Sequence, residues 1–168
     1  MPNSKTHKYV SITAGLGSAA FSAKEQSGTD FLIEVIGGGI GGWLTGNLPD
    51  VLEPATSSYH RSTAHSVSVS GAIVSQLGNI GKIADFCRDQ GARLKENPKR
   101  VLMIPVDNNV TVPIELSDNV GKVFNKIEEV LWILLAGLIV GAAFGYLSHV
   151  GLDCVTGKRG IPLLTKGF

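Results

Sequence analysis

From Val130 to Leu152 the chain reads VLWILLAGLIVGAAFGYLSHVGL, 23 residues with no formally charged side chain when His149 is neutral. As a helix this run extends about 35 Å, against about 30 Å for the hydrocarbon core of a bilayer. Apolar runs beyond roughly 18 residues read as membrane spans, the alternative being the core helix of a soluble bundle. The remaining segments must pack around this one long apolar helix. The fold expected is therefore an all-α membrane helical bundle.

A second apolar stretch, IEVIGGGIGGWLTGNLPD, runs from Ile33 to Asp50. Gly37, Gly39 and Gly42 satisfy G-x-G-x-x-G, the letter pattern of a dinucleotide-binding turn. Such a turn needs a strand before it, a helix after it and an acidic residue about 20 positions on. Here Pro49 closes any helix after Gly42 within two turns, Glu53 comes too early, and PATSSYHRSTAHS beyond it is no strand. The glycines read better as a packing face. Gly37 and Gly41, Gly38 and Gly42, and Gly42 and Gly46 are each four apart, so each pair shares a helix face. Small residues there let another helix approach closely, as in membrane helix pairs. Glycine costs about 1 kcal/mol of helix propensity relative to alanine, so this helix depends on neighbours or lipid.

The chain's 168 residues suit a single domain, and its net charge of +1 offers nothing to nucleic acid. The opening MPNSKTHKYVSITAG carries lysines, but Ser, Thr and Gly break its apolar run, so it does not read as a cleavable signal. Cys87 and Cys154 form no motif and suggest no disulfide framework.

Four helical segments can be drawn: Lys8 to Ala23, Thr29 to Leu48, Ser62 to Phe86, and Asn119 to Asp153. Ser62 is a candidate N-cap for the third. Residues 87–118 form a polar insert, and VLMIPVDNNVTVPIEL within it carries a β-hairpin signal around Asp107, Asn108 and Asn109. Pro105 and Pro113 confine those strands to edge-like positions. The expected organisation is one membrane-embedded domain over 1–168, of about four helices, with a small β-hairpin insertion.

Short connections favour antiparallel neighbours. With alternating helix directions, His7, Asp50, His60, His65, His149 and Asp153 all fall at one end of the bundle. The chain has no other histidine. His149 and Asp153, four apart, project from one helix face and make a compact two-ligand unit for a divalent metal. His65 and Asp50 can complete the shell, with His7 and His60 as further ligands or supporting partners. The five-residue spacing of His60 and His65 puts His60 on the loop and His65 in the first helical turn. This nitrogen and oxygen set suits Zn2+ first, with Mn2+ or Fe2+ as alternatives. A metal of this kind activates bound water near neutral pH, and Arg61 can hold an anionic oxygen bidentately. His149 stands out because ionisable groups inside membrane segments are costly and default to functional roles. Ser66, beside His65, reads as a packing or supporting group, and Glu34 maps to the opposite end of the bundle.

At these residues the sequence resembles a known family. LPD, then HRSTAHS, then GYLSHVGLDCVTGKRGIPLL are similar, in that order, to blocks of the LexA-binding, inner-membrane-associated metal-dependent hydrolases. The resemblance implies Asp50, His60, Arg61, His65, Ser66, His149, Asp153 and Thr156 as family positions. It also implies a bacterial inner-membrane location and a distant kinship to zinc-dependent phospholipase C. The chain departs from the pattern at PDVLEP, where Leu52 replaces an acid and Glu53 a histidine, and at Ser62 and Ala64. Loss of the acid at Leu52 removes a second metal site or the general base, and two outcomes stay open: Glu53 substitutes, or the site is no longer catalytic.

The leading expectation is a membrane-bound hydrolase, phospholipase-like, acting on a phosphodiester or phospholipid-like substrate. Arg61 would steady the phosphoryl oxygens and Glu53 or Asp50 would accept a proton. The alternative is a non-enzymatic, membrane-anchored interaction protein with a structural metal, its 87–118 insert binding a protein partner. A third reading is a small effector that forms a homo-oligomer through the glycine helix. The partners expected are membrane lipid, a protein bound through the 87–118 insert and a second copy of the chain, with no nucleic acid.

Overall fold

The computed structural model describes residues 4–26, 28–52, 66–96, 101–107, 110–115 and 117–156. Along them run α1 (Ser4–Ser22), α2 (Gly28–Thr45), α3 (Leu48–Leu52), α4 (Val67–Ser75), α5 (Leu77–Glu96), β1 (Val101–Asp107), β2 (Val110–Glu115) and α6 (Asp118–Thr156). The architecture is all-α around α6, with one small strand pair set between α5 and α6.

Glycine sets how α1, α2 and α6 meet. A Cβ on Gly137, Gly141 or Gly145 would strike Glu34, Gly38 or Gly42 respectively. Both series rise together, so α2 and α6 run parallel. A Cβ on Gly42 would collide with the carbonyl of Ser11, and one on Gly38 with that of Gly15. These pairs run in opposite senses, so α1 is antiparallel to α2. Gly37 and Gly41 meet the backbone of α6 at Leu134 and Leu138. The backbones therefore approach as closely as small-residue helix faces allow. Gly37, Gly39 and Gly42 are interior residues of α2, which removes the dinucleotide-turn reading.

α5 crosses the other side of α6. Ala84 and Cys87 pack with Ala136 and Val140 in one buried cluster, and Gly91 lies against Ile133. Arg88 reaches α2, its Nε 3.0 and 3.2 Å from the two carboxylate oxygens of the fully buried Glu34. Lys95 pairs with Asp30 of α2 and lies 3.5 Å from Glu129 of α6.

Several boundaries differ from those read in the sequence. The expected third helix is two, α4 and α5, joined at Gln76, which caps the first and accepts the first backbone bond of the second from Ile80. The cap of α4 is Ser66, whose extended backbone and side-chain oxygen receive the Val69 N–H at 3.2 Å. Ser62 lies outside the described residues. The helix does not stop at Phe86 but continues to Glu96, because Arg88, Gly91 and Lys95 all gain partners on α2 or α6. Residues 87–96 thus belong to α5 and not to the insert. Beyond it β1 and β2 pair antiparallel, with Leu102 opposite Ile114 and Ile104 opposite Val112. Among the described residues each strand pairs on one side only, which accommodates Pro105 and Pro113.

Two further shifts bear on the site. α1 starts at Ser4, so His7 sits in its first turn and not ahead of it. Pro49 does not simply end the second helix. α2 stops at Thr45, and Pro49 lies in the first turn of α3, where a missing N–H costs nothing. Asp50 therefore projects from α3.

Within α6, Asn119–Val155 is long and apolar enough to cross a bilayer, its most apolar stretch having a mean hydropathy of 2.3.

Candidate metal centre

The site forms where the start of α1, the α2–α3 turn and the end of α6 meet. His149 is the best-buried large side chain there, with no exposed surface. Its Nδ1 lies 2.6 Å from the carbonyl oxygen of Gly46. A carbonyl can only accept, so Nδ1 carries a proton, which leaves Nε2 as the lone-pair atom of the neutral ring. That is the tautomer and second contact typical of a metal-binding histidine.

Nε2 of His149 faces two carboxylates, Asp50 Oδ1 at 3.6 Å and Asp153 Oδ2 at 3.7 Å. Nε2 of His7 lies 3.4 Å from Asp153 Oδ1. The His7 and His149 rings stack with centroids 4.0 Å apart. Potential ligand atoms of His7, His149 and Asp153 lie within 4.8 Å of one another. An ion bonded at about 2.1 Å to four tetrahedral ligands sets them about 3.4 Å apart. The three histidine–carboxylate spacings, 3.4, 3.6 and 3.7 Å, lie near that edge length, with Asp153 turning one oxygen to each histidine. Two imidazoles and the Asp153 carboxylate form a buried three-residue set suited to zinc, with Asp50 facing it through His149 alone.

Neighbouring hydroxyls lock the helices that carry these ligands. Ser11 donates to the Gly145 carbonyl at 3.0 Å, and Ser148 donates to Ser11 at 3.0 Å. Thr45 donates to the Ala142 carbonyl at 2.8 Å. His7 lies one turn from Ser11, and His149 follows Ser148, so these bonds hold α1 and α2 to α6 directly beneath the ligands.

The structure thus brings together His7, Asp50, His149 and Asp153. His60, His65, Glu53 and Arg61 lie outside the described residues. Ser66 is fully buried with its oxygen committed to the α4 cap, a structural role. Glu34 is bound to Arg88 at the level of Gly137, about 18 Å along α6 from His149 at 1.5 Å per residue. The residue missed from sequence is Gly46, which acts through its backbone carbonyl and so leaves no side-chain signal.

No family model, curated protein or solved structure matches the chain.

Proposed function

We propose that this chain is an integral membrane protein that binds a divalent metal, zinc first, through His7, Asp50, His149 and Asp153, and hydrolyses a phosphodiester or phospholipid-like substrate at the membrane surface. The observation that carries the proposal is the buried convergence of His7, His149 and Asp153, with Asp50 3.6 Å from a His149 whose Nδ1 proton is held by Gly46. An ion held there supplies Lewis-acid activation of water. The protein's own part is to orient the ligands, with Asp50 on the more open side of the cluster, its side chain 37% exposed. Glu53 and Arg61, family positions by resemblance or by substitution, are offered for proton acceptance and for holding phosphoryl oxygens.

The membrane setting draws on the surface as well as on α6. Leu32, Ile36 and Ile40 of α2, Ile83 and Phe86 of α5, and Leu131 and Leu135 of α6 are exposed. Apolar area of that extent around one molecule is normal against lipid and a liability in water. Among the described helices α6 alone is long and apolar enough to cross a bilayer, and α2, packed against it, is 18 residues with charges only at Asp30 and Glu34. The three similar blocks of sequence add the inner-membrane location.

The test is to purify the protein in detergent, load it with zinc, and screen phospholipids and soluble phosphodiesters for hydrolysis beside His149→Ala. Metal-dependent turnover by the parent alone supports the proposal. Stoichiometric metal without turnover of any substrate supports the second reading, a structural metal in a membrane-anchored interaction protein. The departures at Leu52 and Glu53 favour that reading.

A further inference from the structure

Between α1 and α5, floored by α6, lies a cavity of about 540 Å3, within the range of small-molecule sites. Ala14, Gly17 and Phe21 form one wall, Ile80 and Gly81 the other, and Val140 and Phe144 the floor. Ser18 and Ser22 also border it, but their hydroxyls are engaged, with the Gly15 carbonyl at 3.1 Å and with Arg88 at 2.6 Å. The lining that remains is hydrocarbon.

Two of its glycines have no packing reason. A Cβ at Gly17 or Gly81 would meet nothing within 4 Å, unlike the glycines between α1, α2 and α6. Glycine weakens a helix, so at these positions its effect is to keep the cavity wide. The cavity also lies below the metal site. Ala14 follows His7 by two turns on one face of α1, and Phe144 lies one turn from Ser148 on α6. The hydrogen-bonded Ser11 and Ser148 stand between the two.

We infer that this groove seats one acyl chain of a membrane phospholipid whose headgroup reaches the histidine–aspartate cluster, an inference that rests on the proposed hydrolase reading. The occupant follows from the setting. At hydrocarbon depth no water competes for an apolar groove, and a chain entering here leads up to the one described cluster able to bind a metal and act on a phosphate ester. The site selects substrates by their chain as well as by their headgroup.

The experiment uses the full chain, zinc-loaded and reconstituted into phosphatidylcholine vesicles doped with phosphatidylcholine bearing a diazirine in its acyl chain. After illumination, labelled residues are mapped by mass spectrometry and zinc is measured on the same samples. Labelling should concentrate on the groove walls around Ala14, Phe21 and Ile80, above that of the outer belt at Ile36 and Leu135. A Cβ at Gly17 or Gly81 enters open space, and retention of the helical signal and of zinc identifies the Gly17→Leu and Gly81→Leu proteins that are folded. Groove labelling should fall to the level of the outer belt, with zinc content unchanged. Equal labelling of groove and belt, or undiminished groove labelling in both variants, would overturn the inference. A parent that takes zinc but labels only its belt loses the chain site and keeps the hydrolase reading. A parent that labels in the groove but takes no zinc keeps the chain site and loses that reading.

Discussion

The carbonyl oxygen of Gly46 accepts the Nδ1 proton of His149 at 2.6 Å. The glycine-rich α2 is thereby tied to the histidine that faces the carboxylates. The packing of α2 and the geometry of the metal centre are one problem, and the glycines that shape the first also govern the second.

Enlarging Gly42 tests that link. A side chain there runs into the Ser11 carbonyl, so Gly42→Leu must push α1 and α2 apart and carry Gly46 and Asp50 with them. Metal affinity should fall roughly tenfold to a hundredfold, the range seen when supporting contacts of metal ligands are lost. Gly38→Leu should act in the same way, and neither parent nor variant should bind NAD or FAD. Isothermal titration with zinc on folded protein checks this, and undiminished affinity in Gly42→Leu would discard the packing account.

Metal removal should lower stability by an amount set by occupancy. Zinc at a hundred times its dissociation constant stabilises by about 2.7 kcal/mol if it binds only the folded state. The thermal midpoint should rise with added zinc in the parent and stay fixed in His149→Ala and Asp153→Ala. Scanning fluorimetry in detergent gives the answer, and an equal rise in His149→Ala would place the metal elsewhere.

Acid should release the metal. Imidazole and carboxylate ligate only when deprotonated, so binding expels protons and the affinity drops as pH falls. Zinc retention measured after dialysis at successively lower pH should decline steadily. Retention independent of pH would speak against histidine ligands.

The Glu34–Arg88 pair makes a prediction away from the site. Glu34 is fully buried and Arg88 nearly so. Removing one partner strands a buried charge, which costs about 3–5 kcal/mol. Arg88→Met alone should therefore destabilise strongly, while Arg88→Met with Glu34→Leu should recover most of the loss. A double-mutant cycle by thermal unfolding decides it, and additive effects would mean the pair is uncoupled.

Cys87 and Cys154 should never bond within one chain. Both are free, the first buried and the second exposed. Cys87 packs at the level of Ala136, which precedes Cys154 by 18 residues on α6, a rise of about 27 Å. A disulfide needs Cα atoms within about 7 Å. Maleimide should label Cys154 at once and Cys87 only after unfolding, and a Cys87–Cys154 peptide in oxidised protein would overturn the topology.

Much of this was legible from spacing and polarity. The four-residue interval between His149 and Asp153, with alternating helix directions, was enough to expect His7 and Asp50 at the same end. Glycines four apart marked the face of α2 that meets α1 and α6. What stayed hidden depends on contacts across the fold. Arg88 is 54 positions from Glu34, and only their pairing explains why α5 runs through a stretch that looks like polar loop. Ser62 and Ser66 are equal as caps by residue type, and the oxygen that meets the Val69 N–H distinguishes them. Pro49 reads as a stop signal, yet a proline in a first turn serves equally to begin α3.

X-ray absorption at the zinc edge, with metal content measured on the same sample, tests the central claim most directly. The account predicts one zinc per chain, bound by nitrogen and oxygen at about 2.0–2.2 Å with the scattering of two imidazoles, and loss of that signal in His149→Ala. A folded parent that takes up no zinc, or a zinc signal unchanged in His149→Ala, would contradict it.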